Sequence, residues 1–219
     1  GLIASVASNG SRIWTKNVSD CLWVAACAGM GENAVRRAFV AAEADGPLDM
    51  VLSVGWAGAL VPELKPGEVR DFSQIIDAQT GERFSLGNTQ PSALITSPRV
   101  VSTTEKVRLR ETYPGAVMVD MEAATVARMA EMRGIPLACI KAVSDSATAR
   151  LPDLNHFISP AGQIRMVPFV AHLALRPRYW SSTAQLGKDS ARAAQAMSSL
   201  IIEFMEEKNV DRLNRTGSP

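Results

Sequence analysis

The sequence predicts an α/β fold: buried strands interleaved with helices, and a helical C-terminal end. Three observations predict it. Apolar runs of strand length recur at 21–27, 50–54, 116–119 and 137–143, and segments with apolar residues at helical spacing lie among them. Turn formers such as Gly46-Pro47, Pro114-Gly115 and Gly134 with Pro136 fall where the period changes. Hydrophobic residues make up 47% of a 219-residue chain, enough for one sizeable core.

The first elements are short. Residues 2–6 read as a first strand or its remnant, and Ser8-Asn9-Gly10-Ser11 as a turn. Residues 12–16 alternate in polarity and predict an exposed strand; 21–27 is continuously apolar and predicts a buried one. The run Ala28 to Ala34 is expected to lead into a helix to about Ala44, where Gly46-Pro47 breaks it. The strand at 50–54 runs into Gly55-Trp56-Ala57-Gly58-Ala59-Leu60, whose small residues let backbone approach a ligand.

Residues 64–68 form a turn, and 69–78 can pair with 83–86 as a hairpin. A short strand at 93–96 precedes a helix from Thr103 to about Thr112. Past Ala147, a loop to Asn155 leads to helices expected at about 160–175, from 176 onward, and at roughly 189–207. The last places Ala193, Ala196, Met197, Leu200, Ile201 and Phe204 on one face. The organisation expected is one domain over 1–208, its N-terminal strand truncated, with a frayed tail at 209–219.

Composition excludes several function classes. Lys and Arg number 23 against 22 Asp and Glu, a net charge of +1. That balance gives no general attraction to nucleic acid or anionic lipid. Cys21, Cys27 and Cys139 are odd in number and lie in or beside apolar runs, as reduced thiols of a cytoplasmic protein do. Their spacing fits no metal site. No apolar run approaches the ~20 residues of a membrane span, and no signal peptide is evident. Gly1 in place of Met reads as a start inside a longer protein.

The stretch 116–147 organises the rest. An apolar run stops at Asp120-Met121-Glu122. A helical pattern follows, with Ala123, Val126, Ala127 and Ala130 on one face. Gly134 ends it, and a second apolar run then delivers Ser144-Asp145-Ser146. If the two strands are parallel, both acidic ends open on one sheet edge, where such sheets hold ligands. Asp120 and Glu122 share a face of an extended segment and can accept hydrogen bonds from a pair of sugar hydroxyls. They equally suit a helix N-terminus. Asp145 reads either as a partly buried acid that protonates a leaving group or as a cap residue.

Gly29-Met30-Gly31-Glu32-Asn33-Ala34 fits G-x-G-x-x-A and reads as a dinucleotide fingerprint or as a tight strand-to-helix turn. The second strand lacks the closing acid that the fingerprint needs. Lys141 inside an apolar strand predicts a pairing with Asp120 or Glu122. His156 and His172 fit no ligand or triad spacing and read as structural or surface residues.

Taken together, Gly29-Met30-Gly31, the run Ser53 to Leu60, Val119-Asp120-Met121-Glu122-Ala123-Ala124 and Ala142-Val143-Ser144-Asp145-Ser146-Ala147 occur in an order that resembles the nucleoside phosphorylase and nucleosidase family. The flavour is that of its 5′-methylthioadenosine/S-adenosylhomocysteine nucleosidase branch. The resemblance implies a three-layer α/β/α fold around a mixed, twisted sheet. It implies cleavage of the N-glycosidic bond of an adenine-type nucleoside, by hydrolysis or phosphorolysis. Glu122 would hold the ribose hydroxyls, Met121 would pack on sugar and base, and Asp145 would donate a proton or hydrogen bond to the purine, with Ser144 placing the base. Gly55, Ala57 and Gly58 would bring backbone close to the sugar or nucleophile, and Met30 would line the 5′ pocket.

There are departures. No Asp or Glu precedes Asp20, where hydrolytic members carry a glutamate that activates water. Trp56 stands where many members have Ser or Thr, and the segment 69–103 is short for a full base-binding loop. Two alternatives follow: a nucleoside-binding protein that has lost turnover, and a phosphorylase of the hopanoid-associated type acting on an adenosylated lipid near the apolar surface of Trp56. No cofactor is expected, with inorganic phosphate as a co-substrate under phosphorolysis. The partners expected are a small-molecule nucleoside and further copies of the chain, as a homodimer or larger homo-oligomer.

Overall fold

Seven strands form the central sheet of the computed structural model, in the order β5-β10-β4-β9-β8-β6-β7. The structure describes residues 3–18, 21–87, 91–149, 155–159, 161–163, 165, 191–192 and 194–206. The strands are β4 (Val51–Ala59), β5 (Val69–Asp71), β6 (Gln74–Asp77), β7 (Arg83–Ser85), β8 (Ala93–Thr96), β9 (Ala116–Asp120) and β10 (Leu137–Asp145). β10 runs parallel to β4, and β9 runs antiparallel to β4 but parallel to β8. The sheet is therefore mixed, as expected.

Helices cover both faces. α1 (Glu32–Ala42) contacts α3 (Ala123–Glu131), and Ala123, Ala124 and Ala127 of α3 pack on Ala57, Leu94, Met118, Cys139 and Val143. These small side chains let the helix lie close on the sheet. On the opposite face α2 (Thr103–Thr112) sets Leu109 against Leu60, Ile76, Ile95 and Val119. Residues 194–206 form α4, whose Met197 meets Ala142. Its buried stripe differs from the sequence reading in one place, since Ala196 is exposed. The helix expected at 160–175 is not present where its residues are described, since 161–163 and 165 form a turn and irregular chain; its remainder, the helix from 176 and the tail at 209–219 lie outside the described residues. So do His172 and Ala193.

Local signals account for the helix ends. Ser102 and Glu105 form a reciprocal capping box at the start of α2. Gly134, at φ 66°, follows the last turn of α3, and the Ile135 amide returns to the Ala130 carbonyl at 3.0 Å.

Three expectations are corrected. First, residues 21–27 form β3, but outside the central sheet. β1 (Ile3–Val6), β2 (Arg12–Val18) and β3 (Cys21–Cys27) make a separate antiparallel sheet, and β3 is half-buried to exposed along its length. Its apolar run reflects α1 packing on one side, not burial on both. Second, residues 69–78 are two strands. β5 pairs with β10 while β6 hairpins with β7, because the chain turns at Phe72-Ser73. Third, β9 and β10 are neither parallel nor adjacent, since β4 lies between them. Among the described residues no helix is long and apolar enough to cross a membrane.

Candidate functional site

The second half of β4, with three residues of little or no side chain between Gly55 and Gly58, is the floor of the site. β10 lies on one flank, with Lys141 opposite Gly55, Ala142 opposite Trp56 and Asp145 opposite Gly58. β9 arrives on the other flank from the opposite direction, with Val119 opposite Gly58. The C-terminal ends of β9 and β10 therefore converge on one stretch of β4 head to head. Asp120 is one residue past Val119, and Glu122 two further. The ends of the two strands that carry or precede the sequence-predicted acids meet through an antiparallel arrangement, not through the parallel one expected.

Asp120 is buried and fully engaged. Its Oδ2 accepts from Lys141 Nζ at 2.9 Å and from the Ala123 amide at 2.9 Å, and its Oδ1 accepts from Thr96 Oγ1 at 2.7 Å. Thr96 Oγ1 in turn accepts from the Ala124 amide at 2.9 Å. Asp120 thus caps α3 and neutralises Lys141. The sequence placed Asp120 among the sugar ligands; these bonds leave it no free oxygen facing solvent, so it supports the site from beneath. Burial alone disfavours the Lys141 ammonium, but Asp120, with Cys139 and Glu122 behind it, outweighs that and holds its pKa above the ordinary range. Burial also pushes the Cys139 thiol up to about 12, so it is an inert core residue.

Glu122 occupies the first position before α3, yet its side chain makes no bond to that helix. Its Oε1 accepts from the Gly31 amide at 2.8 Å and its Oε2 from the Met121 amide at 3.2 Å. Gly31 has φ 80° and begins α1, so the carboxylate links the N-termini of α1 and α3. Its pKa is raised. Burial is the main cause and the Asp120 charge the second, against opposition from Lys141 and the two amides.

The glycines of the G-x-G motif make close contacts within the chain. A Cβ on Gly29 would lie 2.5 Å from the Gly162 carbonyl oxygen, and one on Gly162 would lie 2.1 Å from the Met30 carbonyl oxygen. The Met30 amide donates to that Gly162 carbonyl at 2.7 Å. Arg37 clasps both segments, donating to Ala28 O at 3.1 Å and Ala161 O at 2.7 Å. A cleft of about 240 Å³ opens beside this junction, lined by Met30, Gly31 and Met121 among others. Its far wall holds Arg128, which donates to Asp77 at 2.7 Å and Glu82 at 2.6 Å. Burial acts to raise the Asp77 carboxyl, but Arg128 and the Gln79 and Thr80 amides outweigh it and hold it low.

Asp145 is buried against Lys106 of α2. Lys106 Nζ donates to Asp145 Oδ2 and, at 2.9 Å, to the Ser146 carbonyl, while Ser144 Oγ donates to Asp145 Oδ1 at 2.5 Å. Ala57 is buried in the core, and Trp56 is 47% exposed. Asp145 lies over Gly58 with Ser144 bonded to it, while Glu122 reaches the start of α1. Met30 and Met121 line the cleft, whereas Glu122, Asp145, Ser144, Gly55, Trp56, Ala57 and Gly58 are not among its lining residues. Sequence reasoning missed Lys106, Thr96 and Gly162. The available signal for Lys106 was its place on the α2 stripe with Leu109 and Tyr113, where an apolar residue would be expected.

This is the architecture of the nucleoside phosphorylase and nucleosidase fold. Residues 91–166, which contain both Glu122 and Asp145, match the sequence model of the phosphorylase superfamily. Similar solved structures include the 5′-methylthioadenosine/S-adenosylhomocysteine nucleosidase of Neisseria meningitidis in complex with methylthio-immucillin-A. It is 22% identical, with 68% of this chain and 78% of that one covered and a TM-score of 0.61. The Helicobacter pylori enzyme with butyl-thio-DADMe-Immucillin-A is 14% identical, with 92% and 88% covered and a TM-score of 0.65. A methylthioadenosine nucleosidase structure from Weissella paramesenteroides is 20% identical, with 67% and 79% covered and a TM-score of 0.60. Comparison with curated protein sequences gives no match. The family model and the solved structures agree with the resemblance read from the motifs.

Proposed function

We propose that the chain cleaves the N-glycosidic bond of an adenine-type purine nucleoside. The observation that carries this reading is that β9 and β10 meet Gly58 from opposite flanks of β4, with Val119 and Asp145 opposite it and Glu122 three residues beyond Val119. Such a bond breaks through a sugar with oxocarbenium character. In this reading Glu122, oriented by the Gly31 and Met121 amides, accepts hydrogen bonds from the two ribose hydroxyls through its remaining lone pairs. Met121 packs against the ligand, and Met30 borders the cleft for the 5′ substituent. Asp145, set by Ser144, donates a proton or hydrogen bond to the purine, which offsets the negative charge the base gains with the electron pair of the broken C–N bond. Gly58 leaves room for that contact because it has no side chain. Assembly into a homodimer or larger belongs to the same proposal.

A second reading is a nucleoside-binding protein without turnover. It is favoured by one observation: both oxygens of Asp145 are already engaged within the chain. One assay separates the two. The protein is incubated with methylthioadenosine, adenosylhomocysteine and inosine, with and without phosphate, and free base is measured. Release of adenine in both buffers means hydrolysis, and release only with phosphate means phosphorolysis. Tight binding without release selects the second reading. Neither binding nor release with any of the three rejects both.

A further inference from the structure

β6 and β8 run parallel and side by side, and Ala78 and Ser97 are the first residues past their carboxyl ends. Open α/β sheets hold ligands just beyond such ends. A groove of about 440 Å³ opens there, between α2 and residues 97–101. It meets the cleft at Gln79 and Pro98, and none of the residues that the proposed reaction uses lines it. The base of the groove is apolar. Ala78, Val101, Leu109 and Tyr113 are half-buried; they pack inward on the buried cluster of Leu60, Ile76, Ile95 and Val119 and also line the groove. Its charge comes from Glu105 and Arg108, one turn apart on α2, and from Arg99. Glu105 is already matched: one carboxylate oxygen takes the Arg99 guanidinium, and the other accepts from the Ser102 amide at 2.8 Å. Arg108 is exposed and makes no hydrogen bond or ion pair among the described residues.

We infer that this groove binds a small aromatic carboxylate, with its ring on Leu109 and Tyr113 and its carboxylate on the Arg108 guanidinium. Eleven residues line the groove, where a stable protein partner would need about 20–30 on this side, and its volume suits a small molecule. Arg108 is the one unmatched charge among the lining residues, so a monoanion neutralises the groove. A carboxylate meets a guanidinium through two parallel N–H···O bonds. A phosphate dianion would leave one negative charge unpartnered. Tyr113 offers a ring for offset stacking, and a rigid, flat body loses less freedom on binding than an alkyl chain does. Binding here does not depend on nucleoside cleavage, because the groove shares no group with the proposed reaction.

Calorimetry of the whole chain with 2-naphthoate tests this, with 2-naphthalenemethanol as the neutral body and acetate as the bare head group. The wild type is expected to bind the naphthoate at least about 5-fold more tightly than the alcohol, the scale of one charge-assisted contact at an exposed arginine. Acetate should show no saturable binding. In Arg108→Gln the naphthoate is expected to lose about 5-fold and the alcohol less than about 2-fold. Arg110→Gln removes the same charge from the last turn of α2, outside the groove, and should leave both affinities unchanged. Both arginines are exposed, so both variants are expected to fold, which thermal unfolding checks. No binding of the naphthoate by the wild type overturns the inference. So does equal binding of naphthoate and alcohol, or of naphthoate and acetate. An unchanged affinity in Arg108→Gln places the ligand elsewhere, and an equal loss in Arg110→Gln assigns the effect to overall charge; either result also overturns it.

Discussion

Lys141 Nζ lies 2.9 Å from Asp120 Oδ2 beneath the site, and neither side chain is more than 2% exposed. The pair is the electrostatic floor on which Glu122 rests: Asp120 raises the Glu122 carboxyl and Lys141 opposes it. Removing one member leaves the other charge buried and uncompensated. Asp120→Asn is therefore expected to lose about 3–5 kcal/mol of stability. Asp120→Asn with Lys141→Met should recover a large part of it, since a neutral pair carries no stranded charge. Urea denaturation of the three proteins checks this, and an additive double variant would show that the two residues do not act as a pair.

Glu122 makes opposite predictions for stability and for binding as pH rises. Its folded pKa is raised above the ordinary 4.5, so the folded state binds that proton more tightly than the unfolded chain does. The resulting stability is fully present below about pH 4.5 and is lost as pH rises through the folded value. A ribose diol, in contrast, needs the ionised carboxylate as acceptor, so nucleoside affinity should grow over the same interval. Denaturation midpoints and dissociation constants from about pH 4 to about pH 8 read both trends. Glu122→Gln should flatten both, and a variant that keeps either slope assigns that slope to another group.

Asp145→Asn should slow base release by about 10²-fold or more while changing nucleoside affinity by less than about 3-fold. The amide keeps the shape but cannot pass a proton to the departing base. Lys106 is then left with a weaker partner, so unfolding of the variant is measured in parallel. Wild-type turnover in a folded Asp145→Asn protein would remove this residue from the chemistry.

Local signals in the sequence were read correctly where the physics is local. The helix from Thr103 to about Thr112 is α2, and Gly134 ends α3 at positive φ, although the Ser102–Glu105 capping box that starts α2 is a local signal the sequence reading did not use. The partner of Lys141 was narrowed to two carboxylates because a lysine inside a strand cannot stay unpaired; the structure selects Asp120. What was not legible depends on long-range pairing. The pattern strand, helix, strand at 116–145 suggests a parallel unit, yet β4 lies between the two strands and β9 reverses. No periodicity encodes which strand inserts between two others. Lys106 was missed for the same reason, because its partner lies 39 residues away on another element.

Gly162 ties these long-range effects together. It has φ 77°, and a Cβ there would meet the Met30 carbonyl oxygen at 2.1 Å and the Met30 amide nitrogen at 2.9 Å, both backbone atoms that cannot swing aside. Gly162→Ala must therefore push residues 28–31 away from 159–163, at a cost of about 1–3 kcal/mol from the unfavourable φ alone. The Met30–Gly162 bond is lost first. Gly31 moves with Met30, so the 2.8 Å bond that orients Glu122 Oε1 is lost next. Lys106 and Asp145 lie on α2 and β10, away from the displaced loop. The variant should thus weaken nucleoside binding, with the ratio of adenine to hypoxanthine affinity unchanged. Calorimetry with nucleoside and with both free bases separates these effects. A changed base ratio would mean that the loop also positions Asp145, and unchanged nucleoside affinity would mean that Glu122 does not depend on Gly31 for its orientation.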